Sequence, residues 1–241
     1  MFGLGTIVNA LAIIAGGLIG VFFGNRIKES LQDTLTMVCG VAVLFIGIGG
    51  ALEGMLTVEG SVVTSGRGVF IVVVLILGAI VGELINIEGA FERFGNFLKI
   101  KTGNAKDARF VDAFLTATFT VSIGAMAIVG AIKDGLYGDY SILFTKAILD
   151  LIIIMVMAAA LGKGALFSFI PVFLLQGIVT VLSKLIEPVL TEESLTNLSM
   201  IGSILIFCVG INLIWGKKVK VANLLPAIIF AVGFAFLPFK F

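Results

Sequence analysis

The sequence predicts an all-α, polytopic transmembrane helical bundle of about eight spans, forming one membrane domain over residues 1–241. Three observations carry that reading. Hydrophobic residues make up 59% of the chain and charged residues 13%, with a mean hydropathy of +1.20. A water-soluble domain could not cover so much apolar surface with so few polar groups. Apolar runs near the ~20 residues needed to cross a bilayer recur along the chain. Lysine and arginine, finally, gather in alternate connections between those runs.

The expected spans are 3–24, 35–52, 67–87, 109–132, 141–162, 164–183, 198–215 and 221–238. The runs are too long and continuous for barrel strands, so helices are the spanning form. The first run, MFGLGTIVNALAIIAGGLIGVFFG, is followed rather than preceded by positive charge (Arg26, Lys28). That polarity fits a span and not a cleaved signal peptide. In segment 88–108, Phe91, Phe94 and Leu98 recur at helical spacing beside Glu92, Arg93 and Lys99. This predicts an amphipathic connection lying on the membrane surface.

Eleven basic residues fall in the first, third, fifth and seventh connections: Arg26, Lys28, Arg93, Lys99, Lys101, Lys106, Arg109, Lys163, Lys217, Lys218 and Lys220. Only Arg67, Lys133, Lys184 and Lys240 fall in the others and the tail. The bias puts the odd connections in the cytoplasm and both termini outside. A net charge of +1 gives no reason to expect a nucleic-acid partner; the bilayer is the expected partner. No histidine is present, which removes Ser-His-Asp and zinc-hydrolase chemistry. Cys39 and Cys208 lie in apolar runs and read as small core residues rather than a disulfide or metal site.

A weak internal repeat runs through the chain. ESLQDTLTMVCGVAVLFIGIG (29–49) resembles ESLTNLSMIGSILIFCVGIN (193–212). At an offset of 163, Leu35, Met37, Gly47 and Ile48 match Leu198, Met200, Gly210 and Ile211. The first copy follows span one and the second follows span six, so they cross in opposite directions. The connection before the first copy is basic, and the later one carries Glu187, Glu192 and Glu193. Spans 1–3 (1–87) and 6–8 (164–241) are therefore expected as the two halves of an inverted repeat, with 109–162 as central spans. That architecture is characteristic of secondary transporters, whose sites lie where the repeats meet.

Asp150 sits deep in span five with Lys146 one turn earlier on the same face. A charge at that depth costs at least ~2.5–3.5 kcal/mol. Two roles fit: a structural ion pair, or Lys146 snorkelling outward; and an ion- or proton-coupled site with a partner on another helix. Asp112, near the inner end of span four, is the candidate partner. Span four also carries Thr116, Thr118, Thr120 and Ser122, which can bond back to their own helix. Segment 122–130, SIGAMAIVG, holds Ser122, Gly124, Met126 and Gly130. It reads either as continuous helix or as a break that exposes backbone amides and carbonyls to a solute. Asn9, Gln176 and Asn212 are expected as interhelical hydrogen bonders and as polar lining of a pathway. Gly16, Gly20 and Gly24, with Gly78 and Gly82, form small-residue ridges for helix packing and for a dimer face.

GTIVNALAIIAGGLIG (5–20), GAMAIVGAIKDGLYGD (124–139), the Lys146 and Asp150 pair, and LLQG (174–177) together resemble the bacterial membrane family called domain of unknown function 554. Where members often carry Ser-Ile, this chain has Ala131-Ile132. The resemblance implies a multi-pass protein of the bacterial plasma membrane and no particular substrate. The combined expectation is a homodimeric secondary transporter moving a small solute or ion by alternating access. Asp150 would bind a cation or proton, and the break in span four the solute. No catalytic set, metal or cofactor follows from these residues. A passive channel of the same fold and a non-transporting sensor or scaffold are the alternatives.

Overall fold

The protein folds as a helical bundle in a computed structural model that describes residues 3–24, 26 and 28–237. Lys240 and the last residue of the eighth expected span lie outside the described residues. Twelve α-helices run in chain order: α1 (Leu4–Gly24), α2 (Glu29–Met55), α3 (Gly68–Ile85), α4 (Ile87–Lys101), α5 (Phe110–Ser122), α6 (Ala125–Tyr137), α7 (Ser141–Leu161), α8 (Phe169–Val181), α9 (Ser183–Ile186), α10 (Glu192–Trp215), α11 (Val221–Leu224) and α12 (Pro226–Phe234). Two short 3-10 turns, Lys163–Ser168 and Glu187–Val189, flank α8 and α9. Among the described residues, six helices are long and apolar enough to cross a bilayer. The α5–α6 pair makes a seventh if its two halves count as one span.

Three expected spans need correction. Span two is longer than 35–52, because its polar start, ESLQDT, is already helical. Span four is two helices rather than one, bent by 61°. Each half is about 20 Å long at the α-helical rise. Span eight is the two-piece Val221–Phe234, which is too short to rank with the others. Pro226 opens its second piece because a missing N–H costs nothing in a first turn. A β-hairpin, β1 (Leu56–Glu59) with β2 (Val62–Ser65), joins α2 to α3. Its two-residue loop begins at Gly60, whose φ of +61° such a loop requires.

Helix directions follow from where the backbones touch. A methyl group on Gly16 would sit 2.3 Å from the Leu151 carbonyl oxygen, and one on Gly20 would sit 2.2 Å from that of Met155. Gly24 meets Ala159 in the same way. The partners advance together, so α1 and α7 are parallel and their main chains are in contact. Along α2, Gly40 meets Leu213, Gly47 meets Phe207 and Gly54 meets Met200. These partners retreat, so α2 and α10 are antiparallel. Gly78 against Ala227 and Gly82 against Asn223 make α3 antiparallel to α11–α12. Both predicted glycine ridges are thus buried inside the protomer.

Contacts between connections sort them into two ends. At the basic end, Arg109 bonds Gln32 at 3.1 Å, Lys217 pairs with Glu88 at 3.1 Å and also with Glu92, and Lys220 pairs with Glu83. At the hairpin end, the Tyr137 hydroxyl donates to Glu187 at 3.0 Å and Arg67 donates to Asn197 at 2.8 Å. The amphipathic connection is α4, capped by the Asn86 side chain on the Gly89 amide. Phe91 and Phe94 stack edge-on against Phe119 and Phe114 of α5, Leu98 is buried, and Phe97 and Ile100 stay exposed.

The close approach of α1 to α7 predicts position-dependent melting. Gly20→Ala should lower the Tm of purified protein by several degrees, at the ~1–3 kcal/mol typical of overpacking. Gly49→Ala, on a face of α2 with nothing within 4 Å, should leave Tm unchanged. Equal melts would contradict the main-chain contact.

Candidate functional site

The site is organised by the interruption between α5 and α6. Ile123 is extended, and Gly124 has φ +153° and ψ 152° before α6 begins. In a continuous helix the Val121 carbonyl would accept from the amide four residues on, at position 125. Here that residue opens the next helix, and the carbonyl would be orphaned at a helix C-terminus. The Lys146 ammonium supplies the missing donor, with Nζ 2.7 Å from Val121 O. The same nitrogen lies 2.5 Å from Oδ2 of Asp150. Both side chains are buried, at 9% and 4% exposure. The pair therefore lies within one helix and also bridges to the break in another. A cation at a helix C-terminus is further favoured by the dipole.

A strip of buried polar groups runs from this pair toward the hairpin end. Asn9 lies beside the Asp150 carboxylate, and its Nδ2 donates to Gln176 Oε1 at 3.3 Å. One turn further along α1, the Thr6 and Thr180 hydroxyls meet at 3.3 Å. At the end of the strip, Asp134 is fully buried and accepts from the Gly5 amide at 2.9 Å, capping α1 from another helix. Asn9 Oδ1, Gln176 Nε2, Asp134 Oδ1, Thr118 Oγ1 and Ser122 Oγ are buried without a protein partner. Unmatched polar atoms this close together are characteristic of a strip that water or an ion can enter.

From the basic end, a cavity of about 270 Å³ enters between α2, α5, α7 and α10. Asp33, Arg109, Asp112, Thr116, Phe119 and Asn212 contribute to its wall. Asp112 thus lines this vestibule and is not the partner of the buried pair, because Lys146 pairs with Asp150 on its own helix. Asn212 has a structural task there: its Nδ2 donates to Val219 O at 2.7 Å, and its Oδ1 accepts from the Lys218 and Val219 amides. Thr120 bonds back to the Thr116 carbonyl at 2.8 Å, whereas Thr118 does not. Met126 is 41% exposed, and Gly130 packs on Leu143. At the cavity rim, burial alone would lower the Lys217 pKa. Its pairs with Glu92 and Glu88 outweigh that and hold the ammonium above its ordinary value.

Asp134, Thr6 and Thr180 were not among the residues expected at a site. The available signal was that α1 has no acidic residue in its first turn, so its amides need an acceptor from elsewhere.

The fold and site define a polytopic helical membrane protein with an ion pair set at a broken span. The chain belongs to the family described as Protein of unknown function (DUF554), whose model matches residues 4–236. It is 30% identical over 225 residues to "Uncharacterized membrane protein YdfK" of Bacillus subtilis (strain 168), covering 93% of this chain and 92% of that protein. It is 27% identical over 233 residues to "Uncharacterized protein YqgA" of Escherichia coli (strain K12), covering 95% and 94%. No solved structure matches the chain.

The pair should behave as one unit in stability measurements. Lys146→Met alone strands a buried carboxylate and should cost about 3–5 kcal/mol. The double variant Lys146→Met/Asp150→Leu should be less damaged than Lys146→Met. Equilibrium unfolding of the purified variants would show additive losses instead if the two side chains were independent.

Proposed function

We propose that the protein is a secondary transporter that moves a small solute or ion across the bacterial plasma membrane by alternating access. The observation that carries this reading is the position of the Lys146–Asp150 pair. It sits at a helix break between a buried polar strip reaching toward one end and an open vestibule reaching in from the other. A purely structural ion pair needs neither a route in nor unmatched polar neighbours. Discontinuous helices that present backbone groups at membrane depth are the usual way such carriers form a site. The basic end would face the cytoplasm, which makes the vestibule an inward-facing opening and places both termini outside. No catalytic role is assigned to any residue.

The inverted repeat is part of the proposal, and the antiparallel packing of α2 on α10 is compatible with it. At an offset of 163 residues, Gly47 corresponds to Gly210, and Leu44 to Phe207. Gly47 packs on Phe207, and Gly210 packs on Leu44. Likewise Gly40 packs on Leu213 while Gly50 packs on Ser203, and the same offset interchanges the two contacts. Any antiparallel helix pair exchanges its contacts in this way, so the packing of α2 on α10 permits a two-fold axis there, and the repeat itself rests on the residues matched between 29–49 and 193–212. Exchanging the conformations of the halves would close the vestibule at the basic end and open one at the hairpin end. There Gly49, Glu53, Thr196 and Ser199 would stand where Asn212, Gly216, Asp33 and Thr36 stand now. The proposed homodimer would need a face other than the glycine ridges, since both are covered within one protomer.

Counterflow in proteoliposomes loaded with candidate solutes tests the carrier reading. A carrier exchanges internal for external solute, whereas an open pore only dissipates a gradient. Asp150→Asn should abolish ion-dependent uptake at equal expression, and unchanged uptake would remove Asp150 from the mechanism. Single cysteines at positions 28 and 192 should label from opposite sides of the membrane. Labelling from one side would end the inverted topology.

A further inference from the structure

We infer that Val121 O and the Asp150 carboxylate form a monovalent-cation seat that the chain fills with its own Lys146 ammonium, with Asn9 beside it. As a statement about coupling, this rests on the transport reading; as a statement about binding, it stands without it. The seat is built from two helices and flanked by a third. α5 contributes a carbonyl at its C-terminal end, freed by the break and carrying the negative end of the helix dipole. α7 contributes the one formal negative charge. α1 flanks it with Asn9, fully buried, whose amide N–H group faces Gln176 Oε1 and the Asp150 carboxylate and whose Oδ1 has no protein partner.

Carbonyl, carboxylate and amide oxygens are the ligands that hard alkali cations take, and unwound-helix carbonyls serve that purpose in membrane carriers. Here the ligand set is met by a tethered ammonium at 2.5 and 2.7 Å. An ammonium is a compact point charge with three donors and no geometric demand of its own. In charge and hydrogen-bonding direction it does what a bound sodium or potassium ion would do. Opposite charge at the seat comes from Asp150; the next acid along the strip, Asp134, is tied to the first turn of α1.

It follows that, while Lys146 is seated, the chain has no vacancy for a metal cation, and that cation binding is latent in the seat. Truncating Lys146 should reveal it. The readout is thermal melting of the purified full chain in detergent, in sodium, potassium or choline chloride at matched ionic strength. The wild-type chain should melt at the same temperature in all three. Lys146→Ala should melt lower in choline and regain about 3–6 °C in sodium or potassium, the shift expected at a cation concentration ten times the Kd of one site. Adding Asp150→Asn should abolish that recovery, and Asn9→Leu in the Lys146→Ala background should weaken it.

Identical melts of Lys146→Ala in choline and in the alkali salts would overturn the seat. So would an equal salt response in the wild type. Should Lys146→Ala aggregate, Lys146→Gln, which keeps a donor toward Val121, is read the same way. Failure of both variants to fold even in sodium or potassium would also overturn it, because a competent seat would be rescued by its ion. Transport is not measured in these melts. A negative result therefore leaves alternating access standing, and a failed counterflow experiment leaves the seat standing.

Discussion

The contact between the Lys146 ammonium and the Val121 carbonyl is the constraint on which the interior depends. A helix interrupted inside a membrane protein leaves polar backbone exposed where water cannot reach freely, and each such group is costly unless matched. Lys146 matches the carbonyl, and Asp150 neutralises Lys146. Neither charge would be tolerable without the other, and the break would be hard to tolerate without both. The interaction also fixes the direction of α6 relative to α5, because it holds the end of the first helix against α7. The strip reaches α6 at Asp134 on one side of that bend, and α5 walls the vestibule on the other.

Delivering Asn9 to this place requires α1 to lie directly on α7. The glycines at 16, 20 and 24 allow it, since the α7 carbonyls occupy the space where side chains would stand. The role of this ridge is therefore positional as well as adhesive. It brings the polar edge of α1, with Thr6 and Asn9, into register with Thr180 and Gln176 of α8 and with Asp150 of α7. Three separate helices converge because one of them has almost no side chains on the contact face.

Much of the architecture was legible in the sequence, and the misses have physical reasons. Long apolar runs and the skewed distribution of Lys and Arg identify spanning helices without any tertiary information. The break at 122–124 was visible as one of two readings, since Gly124 permits it but helical spacing continues across it. What decides it is Lys146, a tertiary partner. Asp112 was drawn toward Asp150 because two isolated acids in apolar runs suggest each other. In the fold, Asp112 lies in the first turn of α5 and on the vestibule wall. Asp134 lies just past the expected end of span four at 132; its burial depends on the first turn of α1, 129 residues away. The hairpin at 56–65 was hidden because its valines lie between two stronger apolar signals. Its outward faces are exposed, so no burial pattern marks it.

That same Asp134–Gly5 contact bears on how the polypeptide is made. α1 leaves the ribosome well before its acceptor at position 134 and its main-chain neighbour at 151–159. Until they arrive, the opening amides of α1 must be hydrated at the bilayer surface, and the glycine ridge must face lipid or the insertion machinery. α1 is thus locked only once residues 125–161 have been made and the middle of the polypeptide closes back over it.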